Sequence, residues 1–312
     1  MIHDLFQLGE PKQHRGIVIC PIFPRRDPVA AYLTLDEALP KGLRITETSE
    51  SGSVPELVVE NPLDARVLLY DGEELVGAKQ NRILNVSVLV EAKSRLTVPV
   101  SCVEQGRWSR RSASFDAGGH VSHAQLRRRK VEAQAAQPLA RGISQGEVWE
   151  AVEEKAMRMR VSSRTGASSD IYHAYDRDLR ALEGAFPALP GQCGAILGIG
   201  HDTCLDLVSR PDAFARLWPK LRAGYLLDAL ERLDGPATPR GGLEALVSAA
   251  SEADWSRQRS AGLGEDVRLR GPAVIGSGLE LDGELLQLTA FRSDGGGQGA
   301  FGRIARPSRR QA

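Results

Sequence analysis

At 312 residues the chain exceeds the usual size of one compact domain, so one large or two interlocked domains with a substantial core are expected. Hydrophobic residues make up 42% and charged residues 26%, a globular composition. Lysine and arginine, 40 together, balance 40 aspartates and glutamates, so no global field draws the chain to nucleic acid or to an anionic membrane.

The first ten residues carry Asp4 and Glu10 and no apolar run, which reads as neither a secretory signal nor a membrane anchor. No later stretch approaches the roughly 20 apolar residues of a membrane helix. Residues 16–23 form a short apolar run stopped by Pro24. Thr34 stands three residues before Glu37, the spacing of a capping box. Residues 43–48 and 54–60 read as strands from their β-branched content. Arg66-Val-Leu-Leu-Tyr70 and Glu73-Glu-Leu-Val-Gly77 flank Asp71-Gly72, which predicts a hairpin with a type I′ turn. Residues 83–90 and 95–100 predict two more strands around a turn at 91–94.

From Ser109 to His123 the chain is rich in Ser, Arg and Gly and reads as a loop. Residues 124–136 open a helix carrying the basic run Arg127-Arg-Arg-Lys130. Residues 145–159 and 170–185 follow a helical pattern, ended by Gly184, Pro187 and Pro190-Gly191. Residues 195–199 and 204–208 flank a turn at 200–203 and read as a hairpin. Pro211 opens a helix with the apolar stripe Phe214, Leu217, Trp218, Leu221 and Tyr225, and Pro219 should kink it. After a loop at 234–242 comes a short helix, then a second Asp-Gly hairpin at Asp282-Gly283. Residues 293–312 are Gly- and Arg-rich and read as disordered.

The fold class is therefore α+β: an N-terminal antiparallel, sandwich-like β-rich part, central helices, and C-terminal hairpins packed with helices. The divisions fall at 1–108, 109–190, 191–292 and the tail 293–312. The four cysteines, Cys20, Cys102, Cys193 and Cys204, form no C-x-x-C pair, which argues for inert buried thiols in a reducing cytoplasm rather than for disulfides or zinc.

Chemistry concentrates in two segments. Asp71 to Arg82 places Asp71, Glu73 and Glu74 at the turn, then Lys79, Gln80, Asn81 and Arg82, many donors within four positions. On an extended chain Lys79 and Asn81 face one side and Gln80 and Arg82 the other, and a polar edge strand explains the run as well as a site does. The second segment, Val98-Pro-Val-Ser-Cys-Val-Glu-Gln-Gly-Arg-Trp108, starts as a strand and breaks at Gly106. Cys102 is a candidate nucleophile, but Glu104 nearby raises rather than lowers a thiol's pKa and no histidine is local. Trp108, between Arg107 and Arg110, fits either a stacking platform or a core position.

His120-x-x-His123 and His201-Asp202 lack a local third ligand and read as solvent-facing, so no metal site is assigned. Arg107, Arg110, Arg111 and the run from Arg127 to Lys130 would serve a phosphate-bearing ligand, though a solvated helix face paired with the acidic residues 147–154 is favoured. No Walker loop, dinucleotide fingerprint, nucleophile elbow or H-E-x-x-H helix is present.

Three blocks carry a resemblance: Tyr32-Leu-Thr-Leu-Asp-Glu-Ala-Leu39 with Gly52-Ser-Val-Pro-Glu56; residues 69–82 with Pro99-Val-Ser-Cys-Val-Glu-Gln-Gly-Arg-Trp108; and Leu217-Trp-Pro-Lys-Leu221 leading to Tyr225. Together they resemble a bacterial family named for association with ADP-ribosylglycohydrolase (ARG) and the rhodanese-phosphatase superfamily. The resemblance spans about Gly9 to Phe291 and implies a link to ADP-ribose or NAD-derived metabolism. It brings no catalytic residues of its own. The matching positions are Asp71, Glu73, Glu74, Lys79, Gln80, Asn81, Arg82, Cys102, Glu104, Gln105 and Trp108.

Two functions compete. In the first, a phosphorylated nucleotide-like ligand meets Lys79 and Arg82 through phosphate, Gln80, Asn81 and Gln105 through ribose or base, and Trp108 by stacking, with Glu73, Glu74 or Glu104 as general acid or base if there is turnover. In the second, the segment docks a protein partner or a second copy of the chain as a non-enzymatic scaffold. The residues do not identify a cofactor.

Overall fold

Near-continuous apolar runs arise where a strand is covered on both faces. In the run from Ile17 and in Gly194–Ile199, the side chains of Ile17, Ile19, Ala195, Leu197 and Ile199 enter one core, whereas Val18, Cys20, Ile22 and Ile196 enter another. The computed structural model describes residues 2–49, 55–136 and 142–293, so part of the family block at 52–56 and nearly all of the tail lie outside the described residues. The chain folds as α+β with antiparallel sheets and a β-rich N-terminal part.

A nine-stranded sheet runs in the order Phe6–Leu8, Ile17–Pro24, Gly194–Ile199, Asp202–Val208, Glu284–Arg292, Val274–Leu281, Glu265–Gly271 and Asp254–Arg259, with Lys12–His14 also paired to Ile17–Pro24. A six-stranded sheet runs Phe115–Val121, Glu73–Gly77, Arg82–Leu84, Ser94–Cys102, Glu56–Asn61 and Arg44–Glu47. Val88–Val90, Val67–Leu69 and Leu33–Thr34 form a third sheet, whose last pair is parallel. The helix Pro211–Ala229 packs on Phe115–Val121 and on the large sheet, and Arg240–Glu252 packs on several strands of the large sheet within the second core.

Local chemistry explains most of these elements. Thr34 begins its helical turn with its N–H and hydroxyl both donating to the Glu37 carboxylate at 3.0 Å. Ser144 caps the helix Gln145–Arg158 by accepting from the Glu147 N–H at 3.3 Å. Asp282 and Gly283 both take positive φ, 50° and 81°, and join Val274–Leu281 to Glu284–Arg292 as the type I′ hairpin expected there. Gly194–Ile199 and Asp202–Val208 pair down to Ile199 opposite Asp202. Pro219 sits inside its helix without ending it.

Five expectations about the fold are corrected. Asp71-Gly72 does not close a hairpin: only Gly72 has positive φ (85°), the Glu73 N–H donates to the Tyr70 carbonyl at 3.1 Å, and the flanking strands lie in different sheets. One positive φ suffices to turn the chain, and the partner of Val67–Leu69 is Val88–Val90. Residues 83–90 accordingly divide into Arg82–Leu84 and Val88–Val90. Residues 109–123 are not all loop, because Phe115–Val121 is a strand at the edge of the six-stranded sheet. The pattern at 170–185 breaks into Ser168–Ala174 and Asp176–Glu183.

The fifth correction concerns the basic run. Arg129 does pair with Glu154 of the acidic stretch, but its side chain is only 10% exposed. Arg127 and Lys130 are wholly buried instead, because the helix Ala124–Ala136 contributes to the central core and packs on the large sheet and on two other helices. Lys130 pairs with Asp71 and donates to the Leu84 carbonyl at 2.9 Å. Arg127 grips the fully buried Asp206 through two bonds of 2.6 and 2.7 Å. Asp206 also accepts from Tyr70 at 2.6 Å, Tyr225 at 2.7 Å and Thr289 at 2.5 Å. Burial alone would raise the Asp206 pKa, but the Arg127 charge and these donors hold it below its ordinary value. Among the described residues no helix is long and apolar enough to cross a membrane.

Candidate functional site

The six-stranded sheet presents Glu74 into a cavity of about 1150 Å³. Glu74 lies opposite Ile83 of the neighbouring strand. On its other side, Phe115–Val121 bulges, so that Gly118, Gly119 and His120 face a single position of the partner strand between the pairs Ala117–Leu75 and Val121–Glu73. A Cβ at Gly118 would stand 2.7 Å from Glu74 Oε2, so glycine leaves room for the carboxyl. The bulge also brings His120 Nε2 to 3.4 Å from Glu74 Oε2. The His120 ring stacks on Tyr172, with centroids 3.6 Å apart and planes at 20°, and the Tyr172 hydroxyl donates to the Val121 carbonyl at 3.2 Å.

Asn81 joins the two segments singled out above. Its side-chain amide donates to Glu74 Oε1 at 3.3 Å, while its backbone N–H donates to Glu104 Oε2 at 3.1 Å. Arg107 closes the arrangement, 2.7 Å from Glu104 and donating to Asn81 Oδ1 at 3.1 Å and to the carbonyls of Ala78 and Ser109 at 2.9 Å. The far wall is held against the end of Ser94–Cys102 by backbone bonds from Gly106 to Thr165 at 2.7 Å and from Ser168 to Val103 at 2.9 Å. Those bonds place Asp170, Tyr172 and His173 of the helix Ser168–Ala174 along the cavity, with Asp170 accepting from Ser163 at 2.5 Å.

The environments push these groups apart. Burial, reinforced by the charges of Glu104 and Asp170, outweighs the Asn81 hydrogen bond and raises the Glu74 pKa to about 8. Glu104 is also buried, but the Arg107 hydrogen bond and charge and the Asn81 N–H hold it below its ordinary value. Burial and the neighbouring cationic groups push His120 down to about 3. At neutral pH the cavity floor therefore carries a protonated Glu74 beside a neutral His120, with an ionised Glu104 spent on Arg107. Trp108, half-exposed, and Arg111 and Arg164, both exposed, stand at the mouth.

Residues 6–291 match the ARG and Rhodanese-Phosphatase-superfamily-associated Protein domain. The chain belongs to this family. No curated protein and no solved structure matches it.

Of the positions highlighted from the sequence of this associated-protein family member, Glu74, Asn81, Glu104 and Trp108 line the cavity. Asp71 and Glu73 do not: Asp71 is committed to Lys130, and Glu73 accepts from Lys220 at 3.2 Å and from the Tyr70 N–H at 3.0 Å. Gln80 is a latch, donating to the Glu104 carbonyl at 2.9 Å and accepting from Cys102 Sγ at 3.0 Å. Cys102 is wholly buried and its pKa is raised by that burial, so it has none of the features of an activated thiol. Gln105 is exposed and lies outside the cavity lining.

Lys79 and Arg82 depart from the expected strand alternation because Ala78 takes positive φ (38°) and breaks the extended chain. Both stack near Trp108, the Lys79 ammonium 5.2 Å and the Arg82 guanidinium 5.9 Å from the ring centroid. Lys79 lines a separate cavity of about 260 Å³ with Glu47 and Arg110, and the buried Arg82 has Glu47 at 3.7 Å. His120 and His123, read as solvent-facing, are both buried. Among the described residues no three His, Cys, Asp or Glu side chains are placed to hold a metal ion. The wall residues Arg164, Asp170, Tyr172 and His173 carry no motif. The only sequence signal for them is Asp170-x-Tyr172-His173 opening a helix, a pattern too common to single out.

Proposed function

We propose that this cavity binds a phosphorylated, nucleotide-like ligand of the ADP-ribose kind. The observation that carries the proposal is a polarised cavity: uncharged or internally paired hydrogen-bonding groups at the buried end, and arginines with a half-exposed indole at the mouth. Arg111 and Arg164 would take the phosphates, the role first given to Lys79 and Arg82, because a planar guanidinium fork matches phosphate oxygens. Trp108 offers a ring for stacking an adenine, and Lys79 and Arg82 lie within 5.9 Å of its centroid. The protonated Glu74 is a donor to a sugar oxygen, which an ionised carboxylate is not. A volume of about 1150 Å³ suits a ligand at the upper end of small-molecule size, roughly 300–1000 Å³ being common. The family's name, recording association with ADP-ribosylglycohydrolase, points to the same ligand class.

Calorimetric titration with ADP-ribose and with NAD tests the proposal. Saturable heat with at least one, weakened in Arg164→Ala, is the expected result. No heat with either, from protein whose circular dichroism is intact, would turn the assignment toward a scaffold.

A further inference from the structure

We propose, resting on the ligand reading above, that the cavity hydrolyses a glycosidic bond of its ligand, with Glu74 as proton donor to the leaving group and Asp170 as base toward the attacking water. The argument begins with the sign of charge at the buried end. Glu74, Asn81, Glu104, His120 and Tyr172 are each at most 7% exposed, and the one cation among them, Arg107, is consumed by Glu104 and by three backbone carbonyls. A reaction that builds negative charge, such as acyl transfer, needs donors or cations at the reacting atom. A proton-bearing carboxyl at the buried end, with Asp170 also lining the cavity, instead suits a reaction in which a sugar carbon gains positive charge while the departing atom takes a proton.

The two carboxyl roles separate by environment. Glu74 carries a proton at neutral pH and faces the cavity beside His120, which is neutral and does not compete as an acid. Glu104 has its Oε2 bonded to both Asn81 and Arg107, so it makes a poor base and its charge is met by Arg107. Asp170 lines the same cavity from the helix Ser168–Ala174, near enough for its charge to raise Glu74, is only partly buried, and accepts from Ser163 through one oxygen, leaving the other for water. In the step, the bond from the anomeric carbon to the leaving oxygen breaks with its electron pair going to that atom. That atom takes the Glu74 proton. A water oxygen bonds to the anomeric carbon and gives its proton to Asp170. The products are a free hemiacetal and a protonated leaving group, and solvent returns the proton from Asp170 to Glu74.

The experiment uses the full chain with NAD and with the O-methyl and O-(4-nitrophenyl) glycosides of ADP-ribose, followed by proton NMR of the anomeric signal. Hydrolysis of at least one probe is expected. Glu74→Gln should slow the methyl glycoside by about 100-fold or more. The same variant should slow the nitrophenyl glycoside and NAD far less, because 4-nitrophenolate and nicotinamide leave without a proton. Calorimetry with ADP-ribose runs in parallel. Binding of ADP-ribose without turnover of any probe overturns the hydrolytic role alone, as does a Glu74→Gln loss equal for both glycosides. Absence of both binding and turnover overturns the ligand reading together with it.

Discussion

Replacing Glu74 with glutamine perturbs the charge of the cavity while nearly preserving its shape and the hydrogen bond from Asn81. The Glu74 carboxyl is raised from 4.5 to about 8, chiefly by burial and then by its acidic neighbours. An acid raised on folding binds more protons in the native than in the unfolded chain between those two values. Its contribution to stability is therefore complete below its unfolded pKa of 4.5 and is lost as the pH rises through about 8. At about 1.36 kcal/mol per pH unit over roughly 3.5 units, the loss is on the order of 5 kcal/mol. Glutamine cannot ionise and escapes it. His120 runs the other way, lowered from 6.5 to about 3, so its contribution is lost as the pH falls below 6.5, and it cancels when the two proteins are compared at one pH. Urea unfolding of both proteins at about pH 5 and about pH 9 measures the effect. The expected result is near-equal stability at the lower pH and a glutamine variant more stable by several kcal/mol at the higher. A difference that does not change with pH would refute the placement of Glu74 as a buried, proton-bearing acid.

Asp206→Ala leaves Arg127 buried without its counter-charge and removes the acceptor of Tyr70, Tyr225 and Thr289, so chemical denaturation should show a loss of about 3–5 kcal/mol. Trp108→Ala should cost about 1–3 kcal/mol of ADP-ribose affinity by calorimetry, the range of base stacking on an aromatic ring, while unfolding shifts little because the ring is 50% exposed. Alkylation of native protein at neutral pH should label none of the four cysteines at the rate of an ordinary thiol, since all are buried and burial raises the pKa of each. Rapid labelling of Cys102 would reopen the case for a nucleophile.

What the sequence discloses follows the range of the interactions involved. The capping box at Thr34, the Asp282-Gly283 turn and the helix of residues 124–136 depend on neighbours a few positions apart, and all appear where the local pattern places them. The meeting of Glu74 with Glu104 was half-legible. The two segments were chemically conspicuous, but alternation along an extended chain cannot foresee the break at Ala78 that turns Asn81 toward both carboxyls. The partners of Arg127 and Lys130 lie 79 and 59 residues away, so a run that reads as a solvated face becomes two buried ion pairs. Phe115–Val121 escaped notice because its bulge with Gly118 and Gly119 mimics the composition of a loop. The same bulge sets His120 against Glu74, and the site's least predictable contact comes from its least strand-like segment.

The most direct measurement is a crystal structure of the wild-type protein soaked with ADP-ribose. Density running from a ribose at Glu74 in the buried end, through phosphates near Arg111 and Arg164, to an adenine on Trp108 is the predicted result. A saturating soak that leaves this cavity empty, or that places the nucleotide beside Lys79 and Glu47 in the smaller cavity, would contradict the account.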